Sequence, residues 1–87
     1  MIMAQHPVSD SLGSILHALG DLSEDTTVPR NVRAKLLRAL EALRSADEHH
    51  IKVSRAMEEL DEIVDDPNMQ PYTRTQIWNI VSLLETV

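Results

Sequence analysis

The chain has 87 residues, no cysteine and a net charge of −6, and 43% of it is hydrophobic. That length makes one domain with a modest core, and the hydrophobic share is too high for a disordered chain. The missing thiols exclude disulfide scaffolds and thiolate metal sites.

Composition points to helix. Leu, Ala, Glu and Arg are abundant, while Gly13 and Gly20 are the only glycines. There is no Phe, and Tyr72 and Trp78 are the only Tyr and Trp, so the core must be aliphatic. The charge is uneven. Residues 1–45 are balanced, whereas residues 46–87 carry the whole −6. An acidic half argues against indiscriminate binding to nucleic acid or anionic membranes.

Met1-Ile2-Met3-Ala4-Gln5-His6-Pro7 lacks the basic flank and long apolar stretch of a signal peptide. No run approaches the ~18–20 apolar residues of a membrane helix. The expectation is a cytoplasmic protein with no membrane partner. Residues 1–8 are expected as a flexible extension ahead of a single domain over 9–87.

Ser9 suits an N-cap, with Asp10 in the first turn. Leu12, Ile15, Leu16, Leu19 and Leu22 follow at spacings of three and four, one apolar stripe on a helix over about residues 9–23. Pro29 fits the first turn of the next helix, where a missing N–H costs nothing. Val32, Leu36, Ala39, Leu40 and Leu43 carry the second stripe, to about Arg44. Ser45 or Asp47 is expected to cap a third helix. Its stripe is Ile51 or Val53, then Ala56, Met57, Leu60, Ile63 and Val64, and Pro67 closes it. Pro71 opens the fourth, with Ile77, Ile80, Val81, Leu84 and Val87 as its stripe. Short connections predict antiparallel neighbours.

The two halves match at an offset of 41. Leu12, Leu16, Leu19, Leu22 and Asp25 align with Val53, Met57, Leu60, Ile63 and Asp66. Past the loop, Arg33, Leu36, Leu37, Ala39, Leu40 and Leu43 align with Arg74, Ile77, Trp78, Ile80, Val81 and Leu84. Each half reads helix, Asp, proline-containing loop, Arg, helix. The Asp can turn the chain with its side chain, and the Arg can reach back to it or to loop carbonyls. The fold predicted is an all-α antiparallel four-helix bundle of two pseudo-repeated helical hairpins. The alternative is a HEAT-like pair of repeats, although a solenoid needs at least about three units.

Val28-Pro29-Arg30-Asn31-Val32-Arg33, Asp66-Pro67-Asn68-Met69 and the string from Thr73 through Trp78 to Glu85 carry a family resemblance. On them the chain resembles Uncharacterised Protein Family 0147, small proteins found in archaea. The resemblance covers residues 15–87, is strongest over 66–85, and leaves the first dozen residues outside. It implies a small cytosolic helical bundle with no assigned activity and no catalytic or ligand residues to carry over.

Candidate chemistry is sparse. His6, His17, His49 and His50 form no metal-spaced pair, and no Glu-x-x-His motif of a di-iron bundle occurs. Glu58, Glu59, Asp61, Glu62, Asp65 and Asp66 cluster on the third helix. They read either as a cation site or, more simply, as a solvated helix face. No nucleophile elbow, P-loop or dinucleotide fingerprint is present. The expectation is a non-enzyme with no cofactor and no metal.

What remains is surface. On a helical projection Leu37 sits off the second stripe, among Arg30, Arg33 and Arg44. Its repeat partner Trp78 is displaced in the same way, beside Arg74. Either the apolar faces are wide and both residues are core, or they anchor an interface, as Trp and Arg commonly do. The functional expectation is a protein–protein interaction or self-association module, using Leu37, Trp78, Arg33, Arg74, Arg30 and Arg44. The alternative is association with RNA or a ribonucleoprotein through Arg30, Arg33, Arg38 and Arg44.

Overall fold

The computed structural model describes the backbone of residues 7–87 and the side chains of residues 12–87. Four helices follow in order: α1 Pro7–Glu24, α2 Arg30–Arg44, α3 His49–Ile63 and α4 Pro71–Leu84, with no strand among the described residues.

Helix ends differ from expectation in four places; at α2, Pro29 is the N-cap with extended backbone rather than a first-turn residue, and its carbonyl accepts the Arg33 N–H. α1 begins at Pro7, so Ser9 lies inside the helix rather than capping it. Proline has its φ set for a first turn and no N–H to orphan there. Residues 1–6 of the expected extension lie outside the described residues, while Pro7 and Val8 belong to α1. At α3 the N-cap is Glu48, not Ser45 or Asp47, and no side chain caps it. The Asp47 carboxylate instead accepts a hydrogen bond from Arg55 Nη1 at 2.9 Å, further along α3. At the C-terminus α4 stops at Leu84, where the Glu85 N–H shares the Val81 and Leu83 carbonyls. Val87 therefore packs on the core from beyond the helix.

The apolar stripes meet as the spacing predicts. Ile15, Leu19, Val32, Leu36, Ala39, Ala56, Leu60 and Ile77 have no exposed surface. In the third stripe Val53 is the half-buried residue, while Ile51 is 40% exposed.

The packing decides between the two architectures. α2 packs against α1 and α3, and α4 against α3 and α1. Among the described residues neither diagonal pair, α1 with α3 or α2 with α4, makes close contact. Stacked HEAT-like repeats would lay α1 on α3 and α2 on α4. The chain is instead a closed antiparallel four-helix bundle.

The offset of 41 is structural as well as sequential. Burial along Arg30–Arg44 recurs along 71–85 at every position except Ala42 against Leu83. Even the loops match. Val28 and its equivalent Met69 are both buried. The Val28 N–H donates to the Asp25 carbonyl at 3.0 Å, and the Met69 N–H to the Asp66 carbonyl at 3.3 Å. A pseudo-two-fold axis along the bundle relates the hairpins.

The symmetry is broken at α4. The pair α2 and α3 is packed most closely, α1 and α2 nearly so, and α4 stands farther from both its neighbours. Side-chain size gives the reason. Ala39 and Ala42 on α2 become Ile80 and Leu83 on α4. Helix separation follows the bulk at the contact, and on the flank facing α1 the buried Ile80 takes the place of an alanine, with Leu83 38% exposed beside it.

Leu37 and Trp78 are not core. They are 45% and 50% exposed, although each adjoins a fully buried residue, Leu36 and Ile77. Truncation should separate these neighbours. By urea denaturation, Leu36→Ala is expected to cost about 2–5 kcal/mol. Leu37→Ala is expected to stay within about 1 kcal/mol.

Candidate interaction surface

The two hairpin loops lie at one end of the bundle and are braced alike. Asp25 Oδ1 accepts the Thr27 N–H at 2.9 Å and the Thr27 hydroxyl at 2.7 Å. Asp66 Oδ1 accepts the Asn68 N–H at 2.8 Å. Both are local side-chain turns of the kind Asp favours.

The arginines brace backbone rather than these carboxylates. Arg33 Nε donates to the Val28 carbonyl at 3.0 Å. Arg74 Nε donates to the Val64 carbonyl at 2.7 Å, and its Nη2 to the Asp66 carbonyl. Both are half-buried. Asn31 at the start of α2 ties the hairpins together by donating to Asp66 Oδ2 at 2.8 Å.

These bonds favour ionised carboxylates. The Thr27 hydroxyl, then the Thr27 N–H, hold the Asp25 carboxyl below its usual range, with Arg33 adding a little. The Asn31 amide, then the Asn68 N–H, do so for Asp66, with Arg74 adding a little. Glu62 is lowered by its hydrogen bond from Lys35 and by that ammonium's charge.

The acidic cluster of the third helix disperses in three directions. Glu62 and Glu59 face α2, where Lys35 Nζ lies 2.6 Å and 4.0 Å from their Oε1 atoms. Asp66 belongs to the loop. Glu58 and Asp61 line a cleft on the opposite flank of α3. Among the described residues no three His, Asp or Glu side chains are grouped to hold a metal.

Because α4 stands off, a depression opens on each side of it. The larger, about 490 Å³, lies between α3 and the end of α4. Val53, Met57, Leu84 and Val87 give it an apolar floor, and its polar rim joins the acids Glu58, Asp61 and Glu85 to His49, His50 and Ser54. The smaller, about 240 Å³, lies between α1 and α4, with Ala18, Leu22, Ile80 and Leu83 in its wall.

The six residues expected to form one interface do not share a surface. Lys35 marks the flank of α2 that faces α3, and Leu37 lies about 200° round the helix from it. Leu37 therefore points out of the α1–α2 side, with exposed Arg30 and Arg44. Gln76 marks the flank of α4 that faces α1, so Trp78 points out of the α3–α4 side. Leu37 and Trp78 occupy equivalent positions on opposite sides of the molecule. The sequence does not single out Glu85, Val87, Val53 and Met57 as cleft residues. Val87 completes a helical stripe on paper but lies beyond the end of α4.

The model of an Uncharacterised protein family (UPF0147) matches residues 2–87. The chain belongs to that family. The match extends well beyond residues 15–87 and takes in most of the first dozen positions. The chain is 51% identical over 70 residues to the UPF0147 protein of Methanocaldococcus jannaschii, covering 79% of this chain and 75% of that one. It is 38% identical over 89 residues to the UPF0147 protein of Aeropyrum pernix, covering 98% of each chain. Both organisms are archaea. A crystal structure of a protein of unknown function is similar at a TM-score of 0.88, with 45% identity, covering 99% of this chain and 98% of that chain. A crystal structure of a family member from Thermoplasma acidophilum is similar at 0.84, with 30% identity, covering 90% and 93%. These relatives carry no assigned activity, and the function of the family is unknown.

The lowered carboxylates set an acid limit on stability. A depressed native pKa contributes stability above the unfolded value, which is lost as pH falls through the native one. Urea midpoints should therefore hold from pH 7 to about 5 and fall below about pH 4. In the variant Asp25→Asn/Asp66→Asn, which keeps the amide oxygens but cannot ionise, the fall should be shallower. An unchanged acid slope in that variant would show that other groups set the limit.

Proposed function

We propose that this protein is a non-enzymatic interaction module of the cytoplasm that works by binding other protein surfaces, including its own. The observation carrying this reading is the pair of large apolar side chains, Leu37 and Trp78, half-exposed at equivalent positions on a well-packed bundle. About half of each side chain lies outside the bundle, and Trp and Arg are common interface anchors. No helix among the described residues is long and apolar enough to cross a membrane.

Light scattering across a concentration series tests the reading. The wild-type chain is expected to exceed the monomer mass, and Trp78→Ala to weaken that association about tenfold or more, the effect of a central aromatic anchor. A chain that stays monomeric at every concentration would remove self-association.

Nucleic-acid association draws on fewer residues than the composition of α2 promises. Lys35 is bound to acids of α3, and Arg33 is committed to the Val28 carbonyl. Arg30, Arg38 and Arg44 remain exposed, and the aromatics lie on α4. This reading predicts RNA affinity that falls steeply with salt and with Arg30→Ala/Arg44→Ala. No binding at low salt ends it.

A further inference from the structure

We infer that copies of this chain associate side by side and head to tail, the α1–α2 face of one seated on the α3–α4 face of the next. The inference rests on the interaction reading above and names its partner and geometry.

The faces share one apolar layout, but the second is opened by the cleft and is acidic, whereas the first carries free arginines. Both hairpin loops lie at one end, tied by Asn31 and Asp66, so the pseudo-two-fold axis runs along the bundle. It carries α1 onto α3 and α2 onto α4, and equivalent residues stand at equal heights on opposite sides. On the first face Arg30 and Arg44 are exposed, and neither is in an ion pair among the described residues. Two exposed acids share this face, Glu41 on α2 and Glu24, one turn beyond Gly20 on α1, so it is mixed in charge rather than acidic. On the second face Glu58, Asp61 and Glu85 are exposed around the cleft. Its base, Arg74, is committed to loop carbonyls. At the offset of 41, Arg44 stands where the other face has Glu85, Gly20 where it has Asp61, and His17 where it has Glu58.

Two copies in the same orientation, displaced sideways, bring these faces together. α2 of one copy then runs antiparallel to α3 of the next, across the cleft. Heights follow from 1.5 Å per residue. Leu37 lies seven residues down α2 from the loop end, between Met57 and Val53 at six and ten residues down α3. Leu37 thus meets the apolar floor. Arg30 stands near the level of Asp61, and Arg44 near that of Glu85 at the lower rim. On the other half of the contact, Trp78 stands level with the middle of α1, near Gly13 and Gly20. Beyond the helix's own nearby backbone, no atom among the described residues lies within 4 Å of where a Cβ on either glycine would be. An indole can lie flat on that stretch of backbone.

A contact between two different faces repeats, so it builds an open series rather than a closed dimer. Complementary charge would fix the pairing and its direction, because like faces would place arginines against arginines or acids against acids.

The test exchanges charge on one face at a time in the full chain. Arg30→Glu/Arg44→Glu makes both faces acidic, and Asp61→Lys/Glu85→Lys makes both basic. All four positions are exposed, and circular dichroism checks that each variant keeps its helices. The wild type is expected to climb past dimer mass with concentration. Trp78, the only tryptophan, should shift its emission to the blue as it does so. Each variant alone is expected to associate about tenfold or more weakly, and an equimolar mixture of the two to recover. Variants that associate like the wild type, or a mixture that fails to recover, overturn this arrangement. If the wild type associates and only Trp78→Ala disperses it, self-association stands and the head-to-tail contact falls. A wild type that never leaves the monomer overturns both.

Discussion

The distance at which α4 is held from the other three helices governs the rest of the molecule. A duplicated hairpin closed on itself would give four equal seams. Here α1, α2 and α3 pack closely, and α4 does not. On the side facing α1 the repeat places Ile80 and the 38% exposed Leu83 where α2 has Ala39 and Ala42. Added methylenes in a close-packed seam are accommodated by movement of the backbone rather than by compression. The two depressions described above both lie beside α4. The core stays filled, since Ile77, Ile80, Val81 and Leu84 are all buried.

Against that drift the loop end acts as a clamp. Buried Val28 and Met69 plug it, and Arg33 and Arg74 pin the chain on either side by taking up loop carbonyls. Hydrogen bonds from a charged donor contribute more than neutral ones, and a buried carbonyl left without a partner is costly. The guanidinium groups are therefore more useful inside than at a partner. Their positions in the repeat are structural, which separates them from Arg30 and Arg44. Only the latter two are free to shape the outer face.

Much of this was legible in the sequence. Spacings of three and four gave the four helices, and the offset of 41 gave the two hairpins. The prolines and the Asp–Arg brackets marked the loops. What escaped was whatever depends on relative placement. One helical projection cannot say whether Leu37 sits in a wide apolar face or outside it, because the answer lies in where α1 and α3 stand. The acidic run of α3 looks continuous along the chain. In space it divides among Lys35, the loop and the cleft, because residues three and four apart share a flank while residues one and two apart do not. Ser45 and Asp47 are both plausible caps by type, and the competing demand of Arg55 on Asp47 is visible only in three dimensions.

Pseudo-symmetry also bears on how such a molecule meets another copy. Two hairpins with the same apolar pattern present two faces with the same apolar layout. If the faces carried the same charges, nothing would distinguish a like pairing from an unlike one. In this chain several exposed positions of the repeat have diverged in charge while the buried ones stay apolar: Arg44 against Glu85 and Gly20 against Asp61, but Leu36 against Ile77 and Leu43 against Leu84. Core residues answer to packing, which tolerates apolar exchange of similar volume. Surface residues answer to what lies outside. The imbalance between a neutral first half and an acidic second half is the sequence-level trace of that divergence. It separates the charges by side of the molecule, where they bear on how copies pair rather than on the fold.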